Sequence, residues 1–475
     1  MTTETLSLPD TGDLTPRVAG FAARLRAEDL PAGLRADIGL HLLDTLACAA
    51  AGARLPIAAE ARGHARAMGN AAGPAPLIGA ADRTSPMMAA FANAFAANAL
   101  DYDDGFEHDG KGMGHPGASL VAAALAALGR GPVSGGALVA ALAAGTEINN
   151  RLILSVQPSA ERFHEVYGIG QHQAIGAAVV YARLSGLPAE RMETALGLAA
   201  SLTPVPSLHK YNWRARPIIT LKDFVAPAAQ AGVQAVELAR AGFTGPRGVF
   251  DGPTGFWRMV GSDRFDAEAL VADLGRVWRA EEGAFKTYPA CRWLAPALEA
   301  FEIARERAAT GAGIVRISVR SFADVGRKLA DPRPRDAIDA QFSLPHLLAC
   351  LAAGLPAGLP WFTPAALADP ALHALADRVT IETDAAMDAA MRGPGRRPSA
   401  AVAIDFADGS RAEAEVAAPR GGALRPITAA VVRDKAGRLF GQSGLDISER
   451  TLAELAASAD VMTDLAPLFR GPAGG

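Results

Sequence analysis

Apolar residues recur three and four positions apart through the first half of the chain. The stretches "GLRADIGLHLLDTLACAAAGA" (33–53), "GALVAALAAGTEINNRLILSV" (136–156) and "APAAQAGVQAVELARAGF" (226–243) each predict a helix, with Gly or Pro in the gaps between them. Their many Ala side chains permit close helix approach, and Ala offers a surface helix little reason to dock, so these helices belong among other helices. After Asp263 the period changes. "GIVRISVRSFADV" (313–325) and "RVTIETDA" (378–385) alternate apolar and polar, and "SAAVAIDFADGSRAEAEVAAP" (399–419) is two such runs around an Asp-Gly turn. Helical patterns "WLAPALEAFEIARERAA" (293–309) and "FSLPHLLACLAAG" (342–354) lie between them, and "TLAELAASADVMTDLAPLF" (451–469) returns to helical spacing. The expected fold is mainly α: a large all-helical domain over 1–273, completed by 424–475, with a smaller α+β domain over 274–423.

Composition narrows the function class. The 475 residues, 50% of them hydrophobic and 20% charged, are enough for two or three domains with cores. A net charge of −4 provides no broad basic field, so neither nucleic acid nor an acidic membrane surface is an expected partner. Three scattered cysteines, Cys48, Cys291 and Cys350, make neither a disulfide framework nor a thiolate zinc site, which suits a reducing compartment; the cytoplasm is the expectation. The opening "MTTETLSLPDTGDL" lacks the basic and apolar regions of a signal peptide, and no apolar run approaches the ~18 residues of a membrane span.

The segments "ADIGLHLLDTLACAAAGA", "NALDYDDGFEHDGKGMGHPGASLVAAALA", "GTEINNRL", "LKDFVAPAAQAGVQAVELARAGFTGP", "FKTYPACRW" and "DAQFSLPH" follow one another in the order and approximate spacing of the MmgE/PrpD family. The ordered set, from about residue 17 to about 460, carries the resemblance; no single motif does. That family includes 2-methylcitrate dehydratases, cis-aconitate decarboxylases and an iminodisuccinate epimerase. The resemblance implies chemistry without a cofactor on small di- and tricarboxylates, an α+β lid over the helical domain with the site between them, and a homodimer. It matches Asp101 and His115 to active-site positions, and Lys222 and Lys286 to basic residues of the site. The chain departs from the family pattern at four places: Tyr167 stands where a His is usual, between His164 and His172; Ala295 replaces a His after "YPAC"; Gly105 replaces a Thr; and Val225 replaces a His after Lys222.

The densest candidate chemistry is "LDYDDGFEHDGKGMGHPG" (100–117). Its carboxylates and imidazoles are suitable metal ligands, yet the His108-Asp109 pair has no second His-Asp pair elsewhere, so the segment reads as an acid/base loop rather than a metal site. Removing a proton next to a carboxylate builds up a dianion, which calls for a base together with cations or donors. Histidine titrates near neutrality, which suits His115 to proton transfer, and Asp101 could orient its imidazole or bind a substrate hydroxyl. Lys222, just before an Ala-rich helix, could turn inward to a ligand carboxylate, and Lys286 and Arg292 flank "TYPAC" as further substrate-binding cations. Tyr167 and His172 are the remaining proton-transfer candidates. "SLHKYNWRARP" (207–217), which contains His209, is too short a basic run for a nucleic-acid track and reads as a substrate-facing or dimer-contact loop. "GNAAG", "GPRGVFDGPTG" and "GPGRRP" carry neither a Walker pattern nor GxGxxG between strand and helix, so no nucleotide cofactor is expected. Together these features predict a lyase or isomerase acting on a small polycarboxylate. Dehydration of 2-methylcitrate leads, followed by decarboxylation or epimerisation, a specialised biosynthetic lyase, and a catalytically silent binding or scaffold protein.

Overall fold

The computed structural model describes residues 13–163, 165–166, 170, 172–204, 211–213 and 215–444. The Ala-rich patterns form a bundle: α1 (Ala32–Gly52), α2 (Pro86–Asn98), α3 (Pro116–Ala127), α4 (Gly135–Ser155), α5 (Gln173–Leu184) and α6 (Val225–Arg240). Every residue of α3 is buried, and α2, α4, α5 and α6 pack around it. Small residues make this possible. A Cβ on Gly145 of α4 would lie 2.5 Å from Val180 of α5, and one on Gly232 of α6 would lie 2.6 Å from the Ala174 carbonyl, so at these crossings only glycine allows the backbones to approach. In "GTEINNRL", Glu147 and Arg151 pair inside the fold. Arg151 also donates to the Ala272 and Val277 carbonyls, each at 2.7 Å, which ties the following segment to α4.

Residues 100–117, expected as an acid/base loop, contain regular structure. They form a hairpin of β1 (Gly105–His108) and β2 (Lys111–Gly114), and β1 pairs on its other edge with β3 (Gly283–Ala284), antiparallel throughout. Asp109 and Gly110 make the turn with φ of 52° and 79°, the left-handed geometry that Asp-Gly favours in a two-residue hairpin loop.

Beyond β3 lie α7 (Ala295–Arg307) and a sheet of β4 (Ile314–Ser321), β5 (Val379–Thr383), β6 (Ala400–Phe406) and β7 (Arg411–Val416), ordered β5-β4-β6-β7. Here β4 and β5 are parallel and the other pairs antiparallel. Helix α7 covers β6 and β7, while α8 (Leu344–Ala352) packs beside α7. The chain then crosses back: α9 (Ala429–Ser443) packs on α1, with Lys435 Nζ 2.7 Å from Asp44 Oδ1 and donating to the Tyr102 carbonyl at 2.6 Å. The helical pattern expected at 451–469 lies outside the described residues. Among those described, no single helix is long and apolar enough to cross a membrane.

Candidate active site

After α2 the chain bends sharply at Asp101, whose φ of 50° is left-handed, a conformation aspartate tolerates better than most residues. The bend is held from the C-terminal half. Lys286 Nζ donates to the Asp101 carbonyl at 2.9 Å, and Gln341 of "DAQFSLPH" donates to the Ala99 carbonyl at 2.6 Å.

The Asp101 carboxylate meets two ammonium groups, Lys222 and Lys286, each 2.9 Å from Oδ1. Burial alone would raise its pKa, but the two lysines outweigh burial and hold it below the ordinary value. Lys222 also donates to Asn98 Oδ1 at 2.8 Å and Asp223 Oδ2 at 3.2 Å. Burial would discharge it, yet Asp101, Asp223 and Asp103 raise its pKa instead. Asp223 sits in a second left-handed bend, φ 60°, where Tyr211 donates to its other oxygen.

His115 is the residue before α3, and its Nδ1 lies 2.9 Å from the Asp104 carbonyl. A carbonyl only accepts, so Nδ1 carries the proton and Nε2 is left for other chemistry. This carbonyl, rather than the Asp101 carboxylate, orients the ring. The Asp104 side chain meanwhile receives the Gly117 amide at 2.9 Å and lies 2.7 Å from His41 Nδ1, capping the start of α3. A Cβ on Gly117 would be 2.5 Å from Asp104 Oδ1, which accounts for the glycine of "HPG". Asp103 is fully buried; Asn98 donates to it at 3.1 Å, and His115 Nδ1 is 3.8 Å from its Oδ2. Loss of water pushes its pKa up to about 6.

These groups form the polar end of a cavity of about 120 Å³ between the helical bundle and the α+β part, with Asp101, His115, Asp223 and Lys286 in its wall. Much of the remaining wall is apolar. Tyr211 and Trp213 stack with centroids 4.8 Å apart, and Phe342 meets Trp213 edge-on at 5.8 Å. Cys291 also lines it, but burial, with the Asp101 charge adding to it, pushes its thiol up to about 12, so it is no nucleophile near neutrality.

The sequence-derived candidates divide. Asp101, His115, Lys286 and Arg292 reach the cavity wall, whereas Lys222 lies behind the two aspartates and is not in the wall. Arg292 is engaged elsewhere: Nε holds Glu107 at 2.7 Å and Nη1 donates to the Arg420 carbonyl at 2.8 Å, fastening β1 to residues 420–422. A Cβ on Gly422 would be 1.8 Å from Glu107 Oε2. His172 is buried ahead of α5 and away from the wall. His108 turns to Glu282 at 2.8 Å, outside the site. Tyr167 and His209 lie outside the described residues. Sequence reasoning passed over Asn98, Asp223 and Arg396. Asp223 adjoins Lys222 in "LKDF", which was a usable signal; Arg396, in the cavity wall, stood in "GPGRRP", weighed only as a glycine loop.

A ring nitrogen of His115 and carboxylate oxygens of Asp101 and Asp223 all lie within 4.8 Å of one another, a donor set that could hold a metal ion. The two carboxylates, however, already meet the Lys222 and Lys286 ammonium groups. A divalent cation would have to compete with both.

Comparison with known proteins bears on the same architecture. The family model for the MmgE/PrpD N-terminal domain matches residues 16–268, and that for the MmgE/PrpD C-terminal domain matches 288–460. The cis-aconitate decarboxylase-like protein oryM of Aspergillus oryzae is 26% identical over 99% of this chain and 99% of its own length. A cis-aconitate decarboxylase of Aspergillus terreus is 26% identical over 96% of this chain and 95% of its own. The cis-aconitate decarboxylase of Homo sapiens is 28% identical over 45% of this chain and 44% of its own. With both family models matched in order across the cavity-forming halves, the chain belongs to the MmgE/PrpD family.

Proposed function

We propose that this chain is a lyase acting on a small polycarboxylate, and that its reaction is loss of CO2 from a cis-aconitate-like acid. The observation that carries the reading is the pairing of His115, with Nε2 available, and the Lys286 ammonium at the polar end of an otherwise largely apolar cavity. The names of the relatives that span nearly the whole chain support decarboxylation ahead of the dehydration that the sequence put first.

When a carboxylate leaves from the carbon next to a C=C, the pair of the broken C–C bond becomes a new double bond. The old π pair then takes a proton at the far alkene carbon, so one CO2 leaves and one proton enters. His115 in its doubly protonated form donates that proton from Nε2, and Lys286 meets a remaining carboxylate. Aromatic walls favour this direction, because a hydrated anion gives way to neutral CO2.

The experiment offers cis-aconitate, citrate and 2-methylcitrate to the purified protein while following CO2 release and enoate absorbance. CO2 release from cis-aconitate, matched by an unsaturated diacid, supports the proposal. A gain of enoate absorbance from 2-methylcitrate without CO2 would make the protein a dehydratase. No turnover of any acid by folded protein would overturn the lyase reading in favour of a silent, binding member.

A further inference from the structure

A third cation, beyond Lys286 and Arg292, reaches the cavity from the α+β part. Arg396 lies between the helix Ala385–Arg392 and β6, in a left-handed backbone conformation with φ 41°. Its guanidinium extends to the helical bundle: Cζ is 3.9 Å from the centroid of the Phe163 ring, and Nη2 donates to Gln157 Oε1 at 3.0 Å and lies 4.0 Å from Met113 Sδ. The Gln157 amide is oriented by its own Nε2, which donates to the Ile153 carbonyl at 2.9 Å, so its oxygen is the atom presented to the arginine.

Each of these neighbours is neutral. Lys286 has Asp101 and Arg292 has Glu107; among the described residues, Arg396 is the cavity-wall cation with no carboxylate partner. Desolvation is strong enough to bring its pKa down to about 10. A charge stripped of water and left unpaired is costly, and the guanidinium fork matches a carboxylate in two-point geometry. Gln157 and the weakly accepting Met113 sulfur both take Nη2, so Nε and Nη1 are left without a protein acceptor among the described residues.

We propose that Arg396 binds a carboxylate of the substrate, distinct from the one at Lys286, and thereby selects acids with more carboxylates over shorter diacids. This rests on the polycarboxylate reading above. The competing role is purely structural, a tie between the α+β part and the bundle through Phe163 and Gln157.

Titration calorimetry with tricarballylate, an unreactive tricarboxylate, separates the two. Arg396→Gln should weaken its binding by roughly 10- to 100-fold, the scale of a hydrogen bond to a charged group, and raise KM for cis-aconitate more than it lowers kcat. Arg396→Lys should recover part of the binding, because it restores charge without the fork. Gln157→Glu supplies an internal counter-ion: it should weaken tricarballylate binding while holding or raising Tm. A structural tie predicts a lower Tm for Arg396→Gln with tricarballylate binding unchanged, and unchanged binding in Gln157→Glu; that pattern overturns the proposal, as does failure of the wild type to bind tricarballylate. Binding that depends on Arg396 in a protein that turns over none of the acids would sink the lyase reading and leave this inference standing. Turnover of cis-aconitate indifferent to Arg396 would do the reverse.

Discussion

Lys222 donates to Asp101 at 2.9 Å and to Asp223 at 3.2 Å from behind, so its ammonium neutralises and positions two cavity-facing carboxylates while standing outside the cavity itself. It is a positioning residue in this geometry. Removing one partner of a buried ion pair leaves the other charge uncompensated, so Lys222→Met should cost on the order of 3–5 kcal/mol of stability. Asp101→Asn in the same chain should restore part of it, with a coupling of about 1–3 kcal/mol in a urea-unfolding double-mutant cycle. Additive effects would show that the two side chains do not share the interaction.

His115→Gln removes the group proposed to donate the proton. Turnover should fall by roughly 10²–10⁴-fold, while circular dichroism and tricarballylate binding stay near wild type. Full activity would dismiss His115 as the proton donor.

Asp103 makes stability depend on pH. Its pKa rises from 3.8 to about 6 on folding, so between those values the folded state binds more protons than the unfolded one and stability falls as pH rises. The cost is absent below the unfolded value, complete above the folded one, and on the order of 3 kcal/mol. Asp103→Asn imitates the neutral acid. Its stability relative to wild type should therefore climb by up to that amount between denaturation curves taken near pH 4 and pH 7; a difference independent of pH would mean that the carboxyl is not shifted.

The Asp101, His115 and Asp223 donor set invites a test with chelator. Because Lys222 and Lys286 already compensate the carboxylates, turnover should survive dialysis against EDTA unchanged. Activity lost on dialysis and restored by one added divalent ion would make these three residues metal ligands.

Several elements were legible because burial imposes the backbone's own period on the sequence. Apolar side chains on α1, α4 and α6 recur at helical spacing, and those on β4 to β7 alternate, since a core-facing stripe has to follow 3.6 residues per turn or two per pleat. The hairpin β1–β2 was not legible. Gly105, Gly110, Gly112 and Gly114 contribute no apolar side chain to reveal the alternation, and the outer partner of β1 is β3, far along the chain.

The same division runs through the site. Asp101 and His115 stand fourteen positions apart in one polar, glycine-rich segment whose residue types suit proton transfer, and the resemblance to the MmgE/PrpD family set them apart from its other carboxylates and imidazole. What their neighbours do was decided only by tertiary structure. Lys222 finds Asp101 across 121 positions, Arg292 finds Glu107 across 185, and Arg396 finds Gln157 across 239. A long charged side chain can turn toward an acid, a carbonyl or a cavity at little local cost, and nothing in its own stretch of sequence selects among them. The choice falls to whichever partner the packing of distant helices and strands brings within reach, because a charge removed from water has to be met there by an opposite charge or by hydrogen bonds.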